Sequence, residues 1–183
     1  TLHYAEQIAA AVSCAHAAGV VHRDLKPDNV LLGFDARSRP VARLMDFGVA
    51  HFRDDAISEM TKDNYVIGTP VYMAPEQAMK AFAVSFASDI YAVGVMLFEL
   101  LTGKLPFSDK TMFGVLTQQV NMKPPPLREV APEADIPDEV EAIVLKAMEK
   151  TKEARYQTML EMVEAIAAAP RGTAGSHGDR AMT

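Results

Sequence analysis

The chain has 183 residues, of which 49% are hydrophobic and 23% are charged, and its formal net charge at pH 7 is −6. This length and composition fit one globular domain with a hydrophobic core. The acidic balance, with no cluster of Lys and Arg to oppose it, argues against a nucleic-acid partner. The single cysteine, Cys14, excludes an internal disulfide framework and indicates a reducing compartment, so we expect a cytoplasmic protein. A membrane anchor would have to lie outside this segment, because the longest apolar run, residues 90–101, is interrupted by Glu99 and is too short to span a bilayer.

The first predicted element is a helix over residues 2–18. Four side chains recur along it at the spacing of one helical face: Tyr4, Ile8, Val12 and Ala15. Gly19 can end the helix in a left-handed conformation. The helix therefore delivers the chain to the segment that starts at His22.

Residues 22–29 read His-Arg-Asp-Leu-Lys-Pro-Asp-Asn. Pro27 fixes its own φ and pushes Lys26 out of the helical region, so this segment should be a rigid loop. Such a loop can aim the Asp24 carboxylate at a hydroxyl, the Lys26 ammonium at a phosphate and the Asn29 amide oxygen at a metal ion. Transfer of a phosphoryl group needs an aligned nucleophile, charge neutralisation and bound Mg²⁺, and this loop can serve all three.

A β-hairpin is predicted next, with strands at residues 30–32 and 41–45 and a turn between them. The two strands carry Asn29 and Asp46 to the same edge, where both side chains can reach shared metal ions. One carboxylate and one amide oxygen suit magnesium, because phosphates and waters fill its remaining positions. Gly48 permits backbone conformations closed to other residues, which favours a hinge there.

Residues 49–73 are largely polar and follow no sustained period. A structureless stretch of this length inside a compact domain is uncommon and usually functional. Order is predicted to resume at Gly68 and Thr69, before the triplet Ala-Pro-Glu at 74–76.

The remaining sequence predicts a helical core. The most apolar helix, residues 90–102, should be capped by Ser88 and Asp89, end at Gly103 and form the hub of that core. Three amphipathic helices are predicted at residues 109–121, 138–149 and 157–168. Residues 169–183 are rich in Gly, Ala and polar side chains, and we interpret them as a disordered tail or linker.

Three motifs follow one another in the chain: His-Arg-Asp-Leu-Lys-Pro-x-Asn at 22–29, Asp-Phe-Gly at 46–48 and Ala-Pro-Glu at 74–76. On these motifs the chain resembles the C-terminal lobe (C-lobe) of a eukaryotic-type serine/threonine protein kinase. The resemblance covers residues 1–168 and implies a mainly α fold, a helical core with a small β-hairpin that carries catalytic residues. Residues 72–77 resemble those of bacterial members in particular.

The smaller N-terminal lobe (N-lobe) of such a kinase is expected to be absent from this chain. Nothing precedes Thr1 that could supply a Gly-rich phosphate loop or the phosphate-pairing lysine. We therefore assign residues 1–168 as a partial kinase domain. Alone, it should lack useful ATP affinity, show no measurable transfer and expose an apolar face where the N-lobe docks.

The resemblance implies a role for each loop residue. Asp24 is the expected catalytic aspartate, and Lys26 should reach the transferred phosphate. Asn29 and Asp46 are the expected Mg²⁺ ligands, and together with Lys26 they contribute to ATP binding. Leu31 should lie under the nucleotide base. His22 and Phe47 are interpreted as packing residues and the other histidines as ordinary.

Further residues are assigned to substrate binding, regulation and structure on the same resemblance. Gly68 and Thr69 should shape the pocket beside a Ser or Thr acceptor. Arg23 should bind a phosphate group attached to the activation loop, residues 49–69. Thr61 is the preferred site of that phosphorylation and Ser58 the second. Three residues are expected to be structural, Glu76 and Arg155 as a buried ion pair and Asp89 as an acceptor for the backbone near His22.

Three functional readings follow. The first is an active protein kinase whose partners are Ser/Thr-containing protein substrates, the N-lobe, and a second copy of itself for activation-loop autophosphorylation. The second is a pseudokinase or docking module, which the intact Asp24, Lys26, Asn29 and Asp46 disfavour. The third is a small-molecule phosphotransferase, which Thr69, the Ala-Pro-Glu triplet and Arg155 disfavour.

Overall fold

Helix α1 (Leu2–Ala17) opens the fold in a computed structural model that describes residues 1–47, 70–79 and 84–170. Its buried face is formed by Ala5, Ile8, Ala9 and Val12. The observed face is therefore rotated slightly from the predicted one, toward Ala5 and Ala9. Gly19 has φ +76°, which confirms the left-handed end of the helix. Helix α1 packs against strand β2 and against the last helix of the chain.

The predicted hairpin is present and is longer than expected. Strand β1 (Val30–Phe34) pairs antiparallel with β2 (Pro40–Leu44), in a register that sets Val30 opposite Leu44. Pro40 was predicted in the turn and instead begins β2, a position where its missing N–H costs no ladder bond. The side chain of Gln7 fixes β2 to α1, because its Oε1 accepts from the Ala42 amide at 2.8 Å and its Nε2 donates to the Pro40 carbonyl at 3.2 Å.

Helix α3 (Phe86–Thr102) is the hub of the core, as predicted, and every residue from Ser88 to Phe98 is buried. The predicted cap at Ser88 and Asp89 is wrong. The helix begins one turn earlier because Ser85 is its N-cap, and Ser88 Oγ accepts from the Ser85 amide at 3.1 Å. Gly103, with φ +68°, ends the helix as predicted.

Short and amphipathic helices surround this hub: α2 (Pro75–Met79), α4 (Met112–Asn121), α5 (Leu127–Val130), α6 (Asp138–Ala147) and α7 (Met159–Ala168). Helices α4 and α7 start later than predicted because Thr111 and Thr158 cap them, accepting from Gly114 and Glu161 amides. Over the described residues the result is a mainly helical fold with one two-stranded sheet, as expected. In the part of the chain described, no helix combines the length and hydropathy that a bilayer crossing requires. Residues 171–183 of the predicted tail lie outside the described residues.

Candidate active site

Asp24, Lys26 and Asn29 meet at one end of the loop. Asn29 Nδ2 donates to the Asp24 carbonyl at 2.7 Å and to Asp24 Oδ2 at 3.3 Å, while Lys26 Nζ lies 2.9 Å from the same Oδ2. Lys26 has φ −160° and ψ 163°, the extended conformation that a following proline requires. The Asp24 and Lys26 side chains are 35% and 20% exposed, so both remain accessible to a substrate.

The hairpin brings Asp46 to this loop. The Met45 amide donates to the Asn29 carbonyl at 2.9 Å, which continues the strand pairing beyond Leu44 to the residue before Asp46. Asp46 has φ +56°, a conformation that Asp tolerates better than most residues, and it is exposed. The structure thus sets Asp46 at the same edge as Asn29, where the sequence predicted it.

Asp89 of α3 anchors the start of the loop. Its buried carboxylate accepts from the amides of His22 and Arg23 at 2.8 and 3.0 Å, and it contacts His16 Nε2 at 2.8 Å. These contacts hold Arg23 at φ +73°, a left-handed conformation that is unfavourable for an arginine. His16 was interpreted as ordinary, and no local pattern in the sequence pointed to its contact with Asp89.

His22 connects the loop to the end of the hairpin. It is fully buried, its Nε2 lies 3.0 Å from the Met45 carbonyl, and its ring centroid is 4.8 Å from that of Phe47. The side chain therefore packs beneath the site and does not face it. This placement agrees with the packing role expected from the sequence.

Glu76 and Arg155 form a bidentate ion pair below the site. Arg155 Nη1 and Nη2 donate to Glu76 Oε1 and Oε2 at 2.9 and 2.8 Å, and the guanidinium also donates to the Ala87 carbonyl at 2.8 Å. The Arg155 side chain is 0% exposed and the Glu76 side chain is 12% exposed. Burial alone would raise the pKa of the Glu76 carboxyl, but the hydrogen bonds and charge of Arg155 outweigh it and lower that pKa.

Segment Pro70–Tyr72 packs against α3 and α4. Tyr72 Oη donates to Glu99 Oε2 at 2.6 Å. Burial, the Glu99 contact and, to a lesser degree, the negative charge of Asp28 raise the pKa of Tyr72 well above its usual range. The contact with Glu99 ties this segment to α3.

The other predicted site residues divide into two groups. Leu31 is half exposed on the outer side of β1, and Arg23 is exposed. Four residues lie outside the described part of the chain: Ser58, Thr61, Gly68 and Thr69. The predicted hinge at Gly48 also lies outside it.

The donor set fits a magnesium ion that is held mainly by phosphate oxygens. In residues 1–47, 70–79 and 84–170, no three His, Cys, Asp or Glu side chains converge to form a metal cluster of their own. Asn29 Nδ2 is directed toward Asp24, so its Oδ1 is the atom available to a cation. An amide oxygen and the exposed Asp46 carboxylate are hard ligands of the kind that Mg²⁺ accepts.

Comparison with known proteins covers nearly the whole chain. The family model for the protein kinase domain matches residues 1–166. Serine/threonine-protein kinase pkn3 of Myxococcus xanthus is 40% identical over 146 residues, which cover 79% of this chain and 26% of the relative. Serine/threonine-protein kinase PknB of Mycolicibacterium smegmatis is 39% identical over 153 residues, 83% of this chain and 23% of the relative. The chain thus spans about a quarter of the length of these curated relatives.

A solved structure shares the fold. The Rad53 kinase domain, determined with SCD2 in complex with AMPPNP, matches with a TM-score of 0.68 at 23% sequence identity. The match covers 97% of this chain and 61% of that one.

Proposed function

Because the chain belongs to the protein kinase family, we propose that it is the C-lobe of a bacterial serine/threonine kinase that transfers a phosphoryl group from ATP to protein hydroxyls. The observation that carries this proposal is the convergence of Asp24, Lys26 and Asn29 at one loop end. Asp46 lies next to the residue that pairs with Asn29. A carboxylate, an ammonium and two metal-binding side chains are thereby grouped as phosphoryl transfer requires.

Asp24 is proposed to orient the acceptor hydroxyl and to receive its proton. The contact with Asn29 Nδ2 fixes the Asp24 backbone, and Lys26 holds one carboxylate oxygen, so the other oxygen is available to the substrate. When a γ-phosphate is present, Lys26 can turn from the carboxylate to that phosphate, because its side chain is only partly buried.

ATP with Mg²⁺ would supply the phosphoryl group and the cation that neutralises its developing charge. Asn29 and Asp46 would hold the ion, Lys26 the phosphate and Leu31 the base. Leu31 is 50% exposed and lies on the opposite face of β1 from Leu32 and Phe34, so it is the apolar side chain that β1 offers to a covering N-lobe. That N-lobe, joined to residues 1–168, is the first partner we propose, with residues 169–183 as the tail.

Ser/Thr specificity and regulation are proposed on the sequence motif. Gly68 and Thr69 would contact the acceptor side chain, and the names of the relatives as serine/threonine kinases support this class of substrate. Phosphorylation of Thr61, or of Ser58, would place negative charge near the exposed Arg23. A second copy of the kinase is the proposed source of that phosphate, and we propose that the reaction takes place in the cytoplasm.

The test is transfer of labelled phosphate from ATP to Ser/Thr peptides by the full-length kinase and by its Asp24→Asn variant. Asn keeps the shape of Asp but cannot accept the proton, so we expect a loss of about 100-fold to 10,000-fold. Asp28→Asn is the matched control, since Asp28 lies in the same loop and is exposed. Residues 1–183 alone should show no transfer.

Each alternative gives a different result in this assay. A wild-type protein that binds ATP without any transfer would indicate a pseudokinase. Transfer only to small molecules would indicate a small-molecule phosphotransferase. Equal activity of wild type and Asp24→Asn would contradict the proposed role of Asp24.

A further inference from the structure

A buried polar side chain holds the segment that follows the proposed substrate residues. Gln119 of α4 is fully buried, and its Nε2 donates to the Val71 carbonyl in Pro70–Tyr72. Its Oε1 accepts from the hydroxyl of Tyr91 in α3. Both ends of this amide are thus engaged, one of them with the backbone two residues after Thr69.

The ammonium group of Lys150 adds a third side chain to these hydrogen bonds. Its Nζ donates to the Tyr91 hydroxyl at 3.1 Å and to the Gln119 carbonyl at 2.7 Å. The ammonium also lies 4.4 Å from the centroid of the Phe107 ring. It therefore contacts both the tyrosine and the backbone of the glutamine, from a position after α6.

The hydrogen bonds run in one direction. Lys150 donates to Tyr91, Tyr91 donates to Gln119, and Gln119 donates to the Val71 carbonyl. In a chain of this kind each bond polarises the next, and removing the Tyr91 hydroxyl leaves the buried Gln119 Oε1 without its donor. The Val71 carbonyl is therefore held directly by Gln119, whose own position depends on Tyr91 and Lys150 from distant parts of the sequence.

We infer that Lys150, Tyr91 and Gln119 form a positioning relay that sets the substrate-binding segment by fixing the Val71 carbonyl. The inference rests on the proposed function, since it assumes that residues just before Pro70 contact the acceptor. None of the three touches the reacting groups, so they act through the backbone. We expect them to govern the KM for the protein substrate and not that for ATP.

The charge of Lys150 makes the relay sensitive to pH. Burial, assisted by the positive charge of Arg155 and opposed by Glu149, lowers the pKa of Lys150 to about 8. Tyr91 faces Lys150 on one side and, at 4.9 Å from its ring centroid, the Arg155 guanidinium that is paired with Glu76. Lys150 is charged below pH 8 and neutral above it, so its donation to Tyr91 weakens as pH rises.

The test is Tyr91→Phe in the full-length kinase, which removes one hydroxyl and keeps the ring. We expect the KM for a Ser/Thr peptide to rise about tenfold, with the KM for ATP unchanged. Backbone hydrogen exchange over residues 70–79 should accelerate, while that of α1 should not. Tyr156→Phe is the matched control, because Tyr156 is equally a buried tyrosine but its ring faces Lys146.

Lys150→Arg supplies the second arm. Arginine keeps its charge at all accessible pH values, so the rise in peptide KM that we expect for wild type between pH 7 and 9 should be absent in this variant. An unchanged peptide KM and unchanged exchange in Tyr91→Phe would overturn the relay. So would equal losses in Tyr156→Phe or a matching change in the KM for ATP.

An inactive wild-type protein can be distinguished from a failure of the positioning relay. If the wild-type protein transfers no phosphate, the hydrogen-exchange comparison still reports whether the hydroxyl of Tyr91 orders residues 70–79.

Discussion

Two ion pairs in this chain are built in opposite ways. The loop pair, Asp24 and Lys26, has a single contact of 2.9 Å and is partly exposed on both sides. The core pair, Glu76 and Arg155, has two parallel contacts, and the arginine is completely buried. Arg155 also donates to the carbonyls of Ala87, Glu149 and Lys150, so its remaining donors are engaged.

The difference shows how the fold separates stability from chemistry. A charge that must meet a substrate has to exchange partners, and a single accessible contact permits this. A buried charge with several partners cannot exchange them without leaving a group unpaired, so it can only hold structure. The loop pair and the core pair should therefore respond differently to the same kind of substitution.

The largest effect on stability is expected for Arg155→Met. This change leaves the Glu76 carboxylate buried without its partner, which should lower the free energy of unfolding by about 3–5 kcal/mol. Urea unfolding of the kinase domain would measure it. Arg39→Met is the matched control, because Arg39 is paired with Asp35 in the exposed hairpin turn and should change the midpoint little.

Lys26→Met should show the opposite behaviour. It removes the cation of the loop pair, so we expect transfer to fall by about 100-fold. The urea midpoint should not change, since Lys26 and Asp24 are both accessible to water. If Lys26→Met unfolded the domain, or if Arg155→Met left stability intact, the distinction between the two pairs would be wrong.

Acidification should destabilise the core pair through Glu76. The pKa of Glu76 is lowered in the folded protein from its ordinary value of 4.5, so its stabilising contribution is complete above that value and is lost as pH falls through the folded pKa. Glu76→Gln should be less stable at pH 7 and should depend less on pH below 4.5. Thermal unfolding between pH 3 and 7 would measure this, with the exposed Glu139→Gln as control.

The sequence predicted where the loop residues lie, but not the contact between Asp24 and Lys26 or the contacts that support the loop. Pro27 dictates the extended backbone of Lys26 by local sterics, and the hairpin brings Asp46 beside Asn29 by pairing. The core pair was expected only from the resemblance to kinases, since 79 residues separate its members and no local pattern joins them.

The misses have a common physical cause. Gln119 lies on an amphipathic helix, where a polar side chain is normally expected to face water, yet it is fully buried. The N-cap of α3 was misplaced because Ser85 and Ser88 offer the same capping chemistry, whereas in the structure Ser88 Oγ accepts from the Ser85 amide and donates to Glu76 Oε1. Such choices are made by tertiary partners, which the local sequence does not reveal.

The smallest effect that we predict compares two glycines, one from each region. Gly103 ends the core helix α3 with φ +68°, whereas Gly33 lies in strand β1 of the hairpin that follows the loop. An added Cβ would meet nothing within 4 Å at either position, so space cannot distinguish them. Gly103→Ala should cost about 1 kcal/mol because alanine disfavours the left-handed backbone. Gly33→Ala should be neutral or slightly stabilising, because it restricts only the unfolded chain. Equal urea midpoints for the two variants would show that backbone conformation does not limit the end of the core helix.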